Sequence, residues 1–176
     1  MTTANETLRD EYIAHAIWVS RFGTGVANRM VNILNESDAE LTARLLVAMD
    51  GLSASNFTVT RREALRGGVR SVNSQAVSAM MSGLNDEIHQ LALHESGYQL
   101  DLFHHAIPDS VLALHPLTGI HPDVLYAATL ARPFQGQLLS EGTANLEADR
   151  MTNIRNTVRP GFLLAVTTQQ IAKHLM

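Results

Sequence analysis

The sequence predicts a mostly α-helical protein, an irregular multi-helix bundle with one long central helix over about residues 68–106, long loops and little or no strand. Three observations lead there. Apolar residues recur at steps of three and four through several long stretches, the spacing of one helical face. Helix start and stop signals punctuate those stretches at plausible intervals. Runs of alternating apolar and polar residues, the mark of half-buried strands, are nearly absent.

The first stripe runs from Glu6 to about Asn35, with Leu8, Tyr12, Ala16, Val19, Phe22, Val26, Met30 and Ile33 on one face. Gly23 and Gly25 weaken its middle and mark a kink or a close helix contact. Ser37-Asp38-Ala39-Glu40 has the form of a capping box, so a new helix is expected from there to about Met49, stopped by Asp50-Gly51. GLSASNFTVT then reads as a loop with a short extended piece at Phe57–Val59. Thr60-Arg61-Arg62-Glu63 is a second capping box that opens the third helix, which Gly67-Gly68 could interrupt and Pro108 ends. Residues 108–122 are irregular apart from a helical turn at VLAL. Pro122 suits the first position of a short helix, DVLYAATLA. ARPFQGQ is a turn. Leu139, Gly142, Leu146, Arg150, Ile154 and Val158 form the next stripe, which Pro160-Gly161 should stop, and Thr167–Gln170 caps a short last helix. These elements divide into an N-terminal helical pair, 1–50, and a helical domain packed on the long central helix, 51–176; one continuous domain over 1–176 is the alternative.

Composition narrows the function. Net charge is −4 and the pI about 6.0, which argues against a general grip on nucleic acid but leaves room for a weak local contact. The basic residues are twelve arginines and one lysine, Lys173. Without cysteine there is neither a disulfide framework nor a thiolate zinc site. No signal peptide is evident near the N-terminus, and no apolar run is long enough for a membrane span.

Residues 89–105, HQLALHESGYQLDLFHH, hold four of the eight histidines. On a helix His89 and His94 point about 140° apart, and His94 and His105 lie roughly 16 Å apart along the axis, so neither pair can share an ion. HExxH is absent, and Asp101 with His104 or His105 supplies only two ligands. No metal site and no cofactor is expected. On a seven-residue grid, Val77, Met81, Leu84, Ile88, Leu91, Glu95, Tyr98, Leu102 and His105 form a seam for helix packing. Glu95 and Tyr98 are its polar members. A carboxylate there needs a partner, and Arg132, Arg155, Arg159 or backbone N–H groups could supply one. The sharper reading is a catalytic carboxylate with a raised pKa, but no second acid or nucleophile motif joins it. Arg62, Arg66 and Arg70 follow each other at i+4 and make a basic stripe. It is either a solvated face or a contact for an acidic protein or a nucleic-acid backbone. Phosphate loops, nucleophile elbows and dinucleotide fingerprints are missing, so neither an enzyme nor a small-molecule substrate is expected.

One resemblance goes further. TVTRREAL, LNDEIHQLALHESGYQLDLF, VLYAATLARPFQGQLLSEGTANLEADRMTNIRNTVRPGF and TTQQIAKHL, in that order over roughly Thr58–Leu175, resemble the N-terminal helical part of phage head morphogenesis proteins, the Mu F-like minor head proteins. RPFQGQLLSEGTANL and NIRNTVRPGFLLAVTTQQI carry most of the likeness: a "p..G..L" turn into a long helix, a glycine-marked step, then a short helix. The first 50 residues match less clearly, and the "D.RT...C" pattern of that family's C-terminal core has no counterpart. The resemblance implies a minor structural or assembly component of a tailed-phage virion head, present in the virion and, during assembly, in the host cytoplasm. It would dock near the portal vertex on portal or capsid protein and could enter with the DNA at ejection. A cellular all-α adaptor or regulatory protein-interaction domain is the alternative that the helical seams alone allow.

Overall fold

The apolar stripes fold as the helices they predict, though with fewer interruptions. The computed structural model describes residues 4–49 and 59–163. Five helices occur among them: α1 (Ala4–Met49), α2 (Val59–Ala106), α3 (Asp109–Leu112), α4 (Pro122–Ala131) and α5 (Leu139–Leu163). The only β pairing among the described residues is an isolated bridge between Phe134 and Gln137.

The expected break at Ser37 does not occur. α1 runs through it, and Ser37 lies buried on the inward face rather than capping a new helix. No proline or glycine separates Val26 from Met49, and an unbroken helix keeps Leu41, 2% exposed, in line with Val26, Met30 and Ile33. The other members of the box pair elsewhere: Asp38 with Arg150, and Glu40 with Arg44 one turn on. Gly67-Gly68 likewise do not interrupt α2, and Val59, expected in an extended piece, is its first residue. α5 continues three residues past Pro160. A proline removes one bond of the ladder and crowds the preceding turn, which bends a helix without always ending it. Residues 51–58 of the expected loop, and the last expected helix, lie outside the described residues.

Other signals hold. α2 ends at Ala106, ahead of Pro108. Pro122 begins α4, where His121 Nδ1 accepts a hydrogen bond from the Asp123 N–H at 3.3 Å. The ARPFQGQ turn closes through reciprocal backbone bonds between Phe134 and Gln137, with left-handed Gln135 (φ 51°) and Gly136 (φ 80°) at its centre.

The chain divides into two compact units, and the division falls within the long helices. Unit 1 comprises Met1–Arg29 and Gly83–Leu138; unit 2 comprises Met30–Ser82 and Leu139–Met176. In unit 2, Leu41, Val69, Val72 and Ile154 form a buried cluster with Met151 packed against it. Asn73 is fully buried beside it and donates from Nδ2 to the Glu147 carbonyl at 3.1 Å. Unit 1 buries Val26, Ala92 and Leu102. Its loop before α4 is held to α2 by Ser96 Oγ, which donates to the Ile120 carbonyl at 2.6 Å.

Candidate functional site

Within unit 1 the N-terminal half of α1 lies along the C-terminal half of α2, and the two meet through rings. α1 supplies His15, Trp18 and Phe22, at steps of three and four, so they share a face. α2 supplies His94 and Tyr98, one turn apart, with Glu95 between them. His15 lies on Tyr98 and Trp18 on His94, each pair with ring centroids 4.2 Å apart and planes within 29° of parallel. Trp18 also stacks on Phe22 at 5.5 Å, and the two imidazoles are 6.2 Å apart and near parallel. Large flat side chains crossing between helices bury apolar area at a low cost in rotamer freedom, and offset stacking adds to it.

Glu95 sits against this stack. Its Oε1 is 2.8 Å from His15 Nε2. The contact is close in distance but not aligned as an N–H···O hydrogen bond, so Oε1 is shielded from water without a well-directed donor. Its Oε2 accepts from Gln99 Nε2 at 3.3 Å. The expected partners were arginines or backbone N–H groups; the structure gives Glu95 an imidazole from α1 and an amide from its own helix. Glu95 and Tyr98 are both half-buried. The Tyr98 hydroxyl donates to the Glu11 carbonyl at 3.4 Å. Burial, and then the Glu11 charge, push its pKa above the ordinary phenol value.

His15 is the residue that sequence reasoning missed. His94 and Glu95 gain it from a helix far away in the chain, and one ligand atom from each of the three lies within 4.8 Å of the others. A signal for it exists: alternating steps of four and three from Leu8 pass through Tyr12, His15, Val19, Phe22 and Val26. The apolar stripe took Ala16 instead, which is exposed, as is Tyr12 at 42%.

The remaining candidates are not drawn into this cluster. Arg66 and Arg70 are exposed on α2 in unit 2, and the side chain of Arg62 lies outside the described residues. His104 and His105 are exposed; His105, the last member of the seam, therefore does not pack. His89 approaches Asp123 at 3.5 Å and meets the edge of Tyr126. No helix among the described residues is long and apolar enough to cross a membrane. Comparison with known protein families gives no match, and neither curated proteins nor solved structures yield a similar chain.

Proposed function

We propose that the chain is a minor assembly component of a tailed-phage head, docking at the portal vertex through helical surfaces on portal or capsid protein. The observation that carries this reading is the ordered set of motifs over roughly Thr58–Leu175, above all RPFQGQLLSEGTANL. The local structure of that segment agrees with the turn-into-helix form of the family motif: Gly136 takes a left-handed conformation in a closed turn, and α5 follows from Leu139.

A second feature supports a docking role. Unit 1 leaves many large apolar side chains in water, among them Ile13, Ile17, Val111, Ile120, Val124 and Phe134, each at least 44% exposed. Where such side chains adjoin one another they suit a protein contact better than a free surface. With a net charge of −4, protein rather than DNA is the main partner, and any DNA contact is weak.

Quantitative mass spectrometry of purified virions and proheads from the source tests this. A fixed copy number per portal is the expected result. Presence in infected cells with consistent absence from heads and proheads overturns it, and a soluble cellular partner recovered by crosslinking would then favour the adaptor reading.

A further inference from the structure

We propose that His15, His94 and Glu95 form a binding site for a divalent transition cation of the zinc type, which clasps α1 to α2 within unit 1. This inference does not depend on the assembly role.

The donor set comes first. Two imidazoles and one carboxylate suit zinc and its neighbours, whereas magnesium and calcium favour all-oxygen shells. Spacing comes second. A tetrahedral shell with bonds of about 2.0–2.1 Å places neighbouring donors about 3.3 Å apart. Here His15 Nε2 and Glu95 Oε1 are 2.8 Å apart, and the ligand atoms of the three residues all fall within 4.8 Å. The first is slightly shorter than required, and the common limit of 4.8 Å admits the required spacing. Small side-chain movements that keep the rings stacked close the gap.

The third observation is the state of Glu95 Oε1. It is shielded from solvent, close to an imidazole nitrogen, and still without an aligned donor. A buried carboxylate oxygen in that position is costly for the protein alone, and a cation coordinated by both atoms removes the cost. The fourth is outer support. Gln99 holds the other carboxylate oxygen, while Tyr98 and Trp18 stack on the imidazoles and limit their rotation. Ligands held this way lose little freedom on binding. Three protein ligands leave one coordination position for water, beside the exposed His94.

The sole tryptophan, Trp18, stacks on His94 and reports on this spot directly. Metal-free full-length chain would be titrated with zinc chloride, following heat and Trp18 emission together. Expected are saturation at one zinc per chain and a change of Trp18 emission that EDTA reverses. Thermal melts should shift upward with zinc by mass action and stay put with magnesium. His94→Ala should fold normally, because the side chain is exposed, yet lose about tenfold or more in zinc affinity together with the Trp18 response. Glu95→Gln, nearly the same shape, should also weaken binding. No saturable binding up to about 100 µM zinc, where even micromolar affinity would raise the melting temperature, overturns the proposal. So does binding that survives unchanged in both variants, since the ion would then sit elsewhere, for example at His104 and His105. A plain His–Glu contact within an aromatic stack is what remains in either case.

Discussion

At the scale of residues, the polar members of an apolar seam carried more information than the apolar ones. Glu95 and Tyr98 stood out because both fall where a heptad seam requires packing, and the structure gives each a partner from α1. What the sequence concealed was the identity of those partners. Neither the arginines nor the backbone N–H groups expected as partners point to His15, because histidine on a helix reads equally well as solvated or packed, and only the facing helix decides. Tyr98 offers a measurable consequence. Its phenol is held neutral by burial first and by Glu11 second, so its ionisation moves above the ordinary pH of about 10. The sign for stability follows. Below pH 10 the phenol is neutral in both folded and unfolded chains. Above it the unfolded chain ionises first, so folding loses stability as pH rises from about 10 through the raised folded pKa. The difference in tyrosinate absorbance between the parent and Tyr98→Phe should have its midpoint above pH 10; a midpoint at or below that value would show that the hydroxyl is solvated.

At the scale of elements, periodicity was read more accurately than punctuation. The stripes of α2, α4 and α5 lie where the spacing placed them, whereas the capping box at Ser37 and the glycine pair at 67–68 did not act as boundaries. A capping box stabilises a helix end only if the backbone turns there, and burial of Leu41 in line with Val26 outweighs one local capping motif. Glycines were ambiguous for the same reason: the residue permits a turn without requiring one. The structure separates the two cases. Gly67 is exposed in mid-helix, and an added Cβ there would meet nothing within 4 Å. Gly67→Ala should therefore raise stability by about 0.5–1 kcal/mol. Gly136 sits at φ 80°, so Gly136→Ala should lower it by about 1–2 kcal/mol despite open space around it. Denaturant melts of the two variants decide this, and shifts in the same direction would mean that one of the two backbone conformations is misassigned.

At the scale of the molecule, packing divides the chain within its two long helices. Each unit takes part of α1 and part of α2, and the periodicity of one helix gives no hint that it will serve two units. A prediction at this scale concerns the surface that unit 1 leaves open. Ile13 and Ile17 are one turn apart, and each lies about 160° around α1 from His15, so they point away from the ring cluster. They are 55% and 49% exposed. Replacing both with Asp should change stability by no more than about 0.5 kcal/mol each, as for ordinary surface changes. If the chain docks on a head through this face, however, two charges in an apolar contact must be desolvated without partners. The double variant Ile13→Asp/Ile17→Asp should therefore keep its helical circular dichroism and its melting temperature, yet fall sharply in copy number in virions assembled with it. Incorporation at the parental level would show that α1 contributes no contact there, leaving Val111, Ile120, Val124 and Phe134 to carry the docking. Loss of both folding and incorporation would mean instead that the two isoleucines are packed, against their exposure.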